Sequence, residues 1–324
     1  MKKFLIIQTA FIGDVILATP LIENLKQKFP NSQIDFLVKK GNELLLVNDP
    51  RLNNVFVFDK GRKITSIFKI IRSIRSKKYD AVFNLHRFAS SGFITCFSSA
   101  KSKFGFRKNP FSFCYNKAFP HEIGNGLHEI ERNLNVISEV VETFSVRPKL
   151  FLSSSDEDFV NKYKSTEFVC MAPASVWFTK QMPEGKWVEL IKKHAEQAQK
   201  IYLIGGPSDI ELCERILKKC DSGNVENLAG KLTLLQSAAL MRDSKMNYVN
   251  DSGPLHFASA LNAPVTAFFC STTPEFGFGP LSDLSEIIEV KNLACKPCGL
   301  HGHKECPQGH FNCGNLINLT NIKI

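Results

Sequence analysis

Two α/β domains, each a doubly wound parallel sheet, are what this 324-residue chain predicts. Three observations carry that expectation. Apolar strand-like runs alternate with amphipathic helical stretches in both halves, the pattern of a parallel sheet covered by helices. A strand–turn–helix junction occurs at Thr9-Ala10-Phe11-Ile12-Gly13-Asp14 and again at Asn250-Asp251-Ser252-Gly253-Pro254. The length exceeds the usual size of one core, so two domains of ordinary size are the default.

In the first domain, expected at 1–150, strands fall at 4–8, 33–38, 55–58 and 80–85. A helix opens at Asp14, whose carboxylate suits a helix N-terminus, and runs to 29. Another spans 63–75, where Ile64, Ile67, Phe68, Ile71 and Ile74 recur at helical spacing. That spacing buries one side and leaves the lysines and arginines outside. A helix over 127–141 closes the half, and the polar run from Pro148 to Asp158 marks the boundary. Asp156-Glu157-Asp158 has an Asp-x-Asp look, but capping by the preceding serines and first-turn acids account for it fully. The second domain, 151–324, carries strands at 167–171, 200–204, 224–228, 246–250 and 265–269. Its helices open at Pro183-Glu184, near Asp209, and over 255–261.

Composition narrows the class. Hydrophobic content of 44% with 22% charged residues is that of a soluble globular protein. No run approaches the ~18 apolar residues of a membrane span. Met1-Lys2-Lys3 imitates a signal peptide, but the apolar run ends at Gln8-Thr9 and Asp14 interrupts the rest, so export is not expected. Six of the ten cysteines are scattered without pairing logic, which fits a reducing cytosol. The net charge of +10 is concentrated: fourteen Lys and Arg against the single acid Asp80 lie between Lys60 and His121. Such a field attracts phosphates, on nucleic acid, on a membrane surface or on an acidic glycolipid.

The two junctions hold the candidate chemistry, because sites in parallel sheets lie beyond the strands' carboxyl ends. A turn that delivers Ser252 and Gly253 to a helix start aims backbone N–H groups and a positive dipole at one spot, suited to a pyrophosphate. Asp14 reads either as an ordinary helix-start carboxylate or as a cleft-facing general base. Ser175, Thr179 and Lys180 offer hydroxyls and a fixed positive charge in the loop after the second half's first strand. Gly205-Gly206-Pro207-Ser208-Asp209 lets a ligand approach the backbone, and Asp209 either binds a ribose or favours the helix start. Neither Gly-x-Gly-x-x-Gly nor Gly-Lys-Ser/Thr occurs, which weakens dehydrogenase and nucleotide-hydrolase readings. Cys295-x2-Cys298-x7-Cys306-x6-Cys313 has metal-like content, but its spacing departs from paired zinc knuckles. Zinc or a cluster of reduced thiols in a C-terminal cap are both open there, and neither has the cysteines catalyse.

Taken together, 9–20, 127–133, 172–183, 205–209, 250–264 and the cysteine tail resemble the heptosyltransferases of glycosyltransferase family 9, the tail being similar to that of the heptosyltransferase II branch. The resemblance implies a GT-B fold, two Rossmann-like domains facing a cleft, with acceptor on the first and donor on the second. It implies an inverting transfer of a heptose or similar sugar from an ADP-sugar, ADP-heptose foremost, to the lipopolysaccharide inner core, without metal or other cofactor. By matching positions, Asp14 becomes the general base and Lys180 a catalytic contact to the donor phosphates. Asp251, Ser252, Gly253 and His256 surround the pyrophosphate and sugar, with Ser175, Thr179 and Asp209 as further donor contacts. Gly13, Lys60, Arg62 and Lys63 are the expected acceptor contacts. The partners implied are a nucleotide sugar and an anionic glycolipid of the Kdo–lipid A type. The enzyme would be cytoplasmic, peripheral at the inner face of the membrane, with no nucleic acid. Two other readings stand beside this one: transfer of a different sugar to another surface polysaccharide, and a basic zinc-containing nucleic-acid-binding protein. The last lacks any recognised nucleic-acid motif.

Overall fold

The computed structural model describes residues 1–195, 199–320 and 322. The chain forms two compact units, Met1–Phe151 and Leu152–Ile324. Unit one runs β1 (Lys3–Gln8), α1 (Ile12–Ile16), α2 (Pro20–Lys28), β2 (Gln33–Lys39), β3 (Asn54–Phe58), α3 (Lys63–Lys77), β4 (Ala81–Asn84), α4 (Ala89–Cys96), β5 (Ser102–Phe106), β6 (Lys117–Phe119) and α5 (Glu129–Asn135). Unit two runs α6 (Ser154–Asn161), β7 (Phe168–Ala172), α7 (Glu184–Ala195), β8 (Lys200–Leu203), α8 (Ile210–Cys220), β9 (Val225–Asn227), α9 (Leu234–Arg242), β10 (Asn247–Asn250), α10 (Gly253–Leu261), β11 (Val265–Phe269), β12 (Ser285–Glu289) and α11 (Asn312–Asn315).

Both sheets are six-stranded, ordered β3-β2-β1-β4-β5-β6 and β12-β11-β10-β7-β8-β9, and every pairing is parallel. Each order reverses once, between β1 and β4 and between β7 and β10. Loops leaving the strands there diverge to opposite faces and open a crevice for a ligand. The strands flanking the two reversals are almost wholly buried, as parallel strands covered on both faces must be. In unit one, Ile70, Ile71 and Ile74 of α3 pack with Leu5, Ile7, Val82 and, from α4, Ile94. In unit two, Trp187 of α7 meets Phe268 of β11 edge-on at 5.4 Å and joins Met171, Leu203 and Tyr248. Burying each such side chain contributes about 1.5–3 kcal/mol.

Several expectations need correction. The helix expected over 14–29 is two helices, because Pro20 sits in the first turn of α2, where a missing N–H costs nothing, and the chain turns through 17–19 before it. The helix expected over 127–141 ends at Asn135 and continues as turns. Three strands, β5, β6 and β12, were not foreseen. Cys96 and Cys114 are joined in a disulfide, with Cα atoms 5.6 Å apart, so two of the scattered cysteines do pair. The fold alone brings them together across 18 positions. Ser153 caps α6 through the Asp156 N–H, and Asp156 returns the bond to the Ser153 N–H at 3.0 Å, the structural role the sequence indicated. Among the described residues, no helix is long and apolar enough to cross a membrane.

Candidate functional site

In unit two, the loop from Pro173 to Pro183 leaves β7 beside the point where the strand order reverses, and α10 starts across it, after β10. Asn250, the last residue of β10, pins both ends of that loop. Its Nδ2 donates to the Pro173 carbonyl at 2.8 Å, and its Oδ1 accepts from the Met182 N–H at 2.9 Å. Between these anchors a single 3-10 turn, Phe178–Lys180, presents Lys180. The Lys180 Nζ lies 2.6 Å from Asp251 Oδ2, which also accepts from the Thr272 hydroxyl at 2.6 Å. A fixed ammonium therefore stands beside the start of α10. Ser252 is the helix's N-cap residue, Gly253 and Pro254 form its first turn, and His256 is buried within it. Pro254 has no N–H, so the anion-binding capacity of this turn falls to its neighbours.

The C-terminal tail buttresses the same loop. Thr179 is buried, and its hydroxyl accepts from the His303 N–H at 2.8 Å and from the Ser271 hydroxyl at 3.0 Å. Its N–H donates to the His303 carbonyl at 3.1 Å. Gly302, at φ +77°, lies so close that a Cβ there would stand 2.9 Å from Lys180 Cγ and 3.2 Å from Trp177 Cβ. Thr179 thus holds the loop in place, with its hydroxyl used up inside the protein. Ser175 contributes its carbonyl to Gln181 Nε2 at 2.6 Å.

After β8, the Gly205-Gly206 turn is closed by Asp209. Its Oδ2 accepts from the Gly206 N–H at 2.8 Å and its Oδ1 from the Ser208 hydroxyl at 3.1 Å. A Cβ at Gly205 would meet that carboxylate at 2.9 Å, so glycine is needed for the close approach. Of the tail cysteines, Cys313 is buried and its thiol is pushed up to about 11, first by burial and then by Cys298, Cys306 and Cys295. Among the described residues, no three His, Cys, Asp or Glu side chains are grouped to hold a metal ion.

In unit one the ends of β1, β2, β3 and β4 gather a second constellation. Asp14 sits partly buried on α1, its Oδ2 accepting from the Phe11 N–H at 3.0 Å. Lys39, the last residue of β2, stands 4.8 Å over the Phe11 ring. Burial pulls the Lys39 ammonium below its ordinary range, with Lys60 adding repulsion and Asp14 pulling the other way. Asp14 and Lys60 are therefore each within electrostatic reach of Lys39. Beyond β4, His86 is buried, its Nδ1 2.8 Å from Thr9 Oγ1, joining the two loops on either side of this sheet's reversal. Burial, then Lys60, Arg87 and Lys39, hold His86 down to about 4, so the ring is neutral at physiological pH. Gly13 is buried in α1 and offers backbone alone, while Lys60, Arg62 and Lys63 are exposed at and before the start of α3.

Sequence reasoning passed over Thr272 and Gly302 in unit two and Lys39 and His86 in unit one, and quoted Asn250 and Thr9 only as the start of their junctions. Lys39 and Asn250 each end a central strand, a position that marks site residues in parallel sheets and was the signal at hand. Nothing in the sequence alone brings Gly302 to Lys180.

Known proteins resemble this chain in sequence and in fold. The model of glycosyltransferase family 9 (heptosyltransferase) matches residues 67–310. Lipopolysaccharide heptosyltransferase 3 of Escherichia coli K12 is 26% identical over 285 residues, 82% of this chain and 81% of that protein. The structure of the E. coli ADP-heptose lipopolysaccharide heptosyltransferase II superposes with a TM-score of 0.78 at 22% identity, covering 98% of each chain. The iron-containing dodecameric glycosyltransferase TibC of enterotoxigenic E. coli superposes at 0.59 with 16% identity, covering 97% of this chain and 72% of that one.

Proposed function

The chain belongs to glycosyltransferase family 9, and from that premise we propose that it moves a heptose from ADP-heptose to the inner core of a lipopolysaccharide, by an inverting and metal-independent reaction. It is a glycosyltransferase of GT-B fold, each unit carrying one doubly wound sheet. The observation that carries the finer reading is the Lys180 ammonium held at Asp251 beside the start of α10.

When the sugar's bond to the diphosphate breaks, negative charge builds on the leaving phosphate oxygen. A preorganised ammonium and a helix N-terminus stabilise that charge where it develops, the task a divalent ion performs in other transferases. Lys180 has three N–H donors, of which Asp251 occupies one, so two remain for phosphate oxygens. Ser252, Gly253 and His256 line this end of α10, Ser175 borders the loop that holds Lys180, and Thr179 fixes that loop from within. Asp209 closes the Gly205-Gly206 turn against which a ribose would lie.

The acceptor hydroxyl must lose a proton as its oxygen bonds to the anomeric carbon. In our reading Asp14 takes that proton, the C–O bond forms on the face opposite the departing diphosphate, and the configuration inverts. Lys60, Arg62 and Lys63, with the backbone at Gly13, meet the acceptor's carboxylates and phosphates. The basic field of unit one further suits a lipid-anchored substrate at the cytoplasmic face of the membrane, with loose, salt-sensitive association.

Asp14→Ala tests the assignment. Transfer should fall about 10²–10⁴-fold, the worth of a positioned base, while affinity for ADP stays near that of the unmodified protein and above that for UDP or GDP. Equal loss of ADP affinity would remove Asp14 from the base role. Preference for UDP or GDP in the same titration would replace the donor. Transfer that survives exhaustive chelation supports the metal-free chemistry, and loss restored by one metal refutes it.

A further inference from the structure

We infer that the outward face of α3, continued by Phe97 and Phe113, is the surface by which unit one docks on an anionic lipid bilayer; the inference rests on the proposed lipid-anchored acceptor. α3 is amphipathic in an uncommon sense. Its inner side, Ile67, Ile70, Ile71 and Ile74, is spent on the core with Phe93 and Ile94 of α4. Its outer side nevertheless carries Ile64 and Phe68, 71% and 62% exposed. Arg72 and Arg75 follow on the same face at helical spacing, with Lys69 beside them, all exposed.

A second group of aromatics lies on α4, which packs against α3, and on the turn after β5. Phe93 lies 4.5 Å from Phe97 with the rings tilted and meets Phe111 edge-on at 5.7 Å, and Phe111 lies 5.9 Å from Phe113. The Cys96–Cys114 disulfide ties the residues next to Phe97 and Phe113 together. Phe97 is 46% and Phe113 79% exposed. Two large apolar side chains thus stand in water on a helix that contains no acidic residue, and two more on the neighbouring α4 side of the unit. Among the described residues, Lys69, Arg72 and Arg75 have no acidic partner within ion-pair distance.

Exposed aromatics interleaved with unpaired cations are what an interfacial helix presents: the apolar groups enter the headgroup boundary and the cations meet lipid phosphates. A phosphate backbone alone would leave Ile64 and Phe68 without a role. A second copy of this face would set Lys69, Arg72 and Arg75 against their own equivalents, and that repulsion argues against self-association.

The test is co-sedimentation of the full chain with vesicles of phosphatidylglycerol mixed with phosphatidylcholine, against phosphatidylcholine alone. The unmodified protein should bind the anionic vesicles and leave them at high salt. Lys69→Glu with Arg72→Glu should weaken partitioning at least about tenfold, as should Phe68→Ser with Phe113→Ser. Both pairs should keep ADP affinity and transfer to an acceptor stripped of its acyl chains, which also shows that they fold. Partitioning of either pair like the unmodified protein overturns the inference, as does equal binding to neutral vesicles. Self-association abolished by the Phe pair would assign the face to a second copy and overturn it too. If ADP binding and transfer stand while vesicle binding is absent, the docking surface alone falls; if those fail in the unmodified protein, the fault lies with the functional reading.

Discussion

Lys180 and Asp251 illustrate how one contact serves both stability and chemistry. Asp251 is buried, and its carboxylate is answered by the Lys180 ammonium and the Thr272 hydroxyl. Lys180→Met strands that carboxylate, and an uncompensated buried charge costs about 3 kcal/mol or more. Adding Asp251→Asn should return most of the lost stability in a denaturant titration, yet leave transfer down at least about 100-fold, because no cation faces the diphosphate. Recovery of activity in the double variant would deny Lys180 its role. His86 makes a different prediction. Its ordinary value is 6.5, and burial lowers it to about 4 in the folded protein. Between those values the unfolded chain binds a proton that the folded one refuses, so stability falls as pH drops from 6.5 towards 4. The full effect is roughly 3 kcal/mol. His86→Gln should flatten that slope in unfolding midpoints measured against pH, and an unchanged slope would assign it to other groups.

At the scale of elements, one contact far apart in sequence joins the tail to the loop that carries Lys180. Gly302 sits at a positive φ with no room for a Cβ. Gly302→Ala should therefore cost about 1–2 kcal/mol in backbone conformation and displace the lysine, lowering turnover by tenfold or more while the sheets persist. Full activity in that variant would show the tail to be a passive cover. How much was legible before the structure follows the same line. The strands flanking each reversal were readable because burial on both faces makes them continuous apolar runs, as in Phe4-Leu5-Ile6-Ile7. β5, β6 and β12 were not: β5 reads Ser-Lys-Phe-Gly-Phe and β12 Ser-Glu-Ile-Ile-Glu, short and polar at one or both ends. The break at Pro20 was missed because the apolar period runs through it. Lys180, Asp14 and the α10 turn were singled out because they follow strands. Thr9–His86 and Asn250's two anchors depend on which strands lie side by side, which spacing along one chain does not encode.

At the scale of the whole molecule, two units each own a hydrophobic core, one under α3 and one around Trp187. Calorimetry should resolve two unfolding transitions, only one of them sensitive to reductant through Cys96–Cys114. Saturating ADP should raise the other, by about 2.7 kcal/mol at a hundredfold excess over its dissociation constant. One transition shifted as a whole would mean that the units melt together and that the donor's placement on unit two needs another test. The reach of His303 back to Thr179, more than 120 positions earlier, has a consequence for biosynthesis. A nascent chain can pair the central strands of both sheets before His303 leaves the ribosomal tunnel, yet the lysine loop lacks its brace until that residue emerges. Competence for catalysis would then arrive only after the architecture itself is laid down.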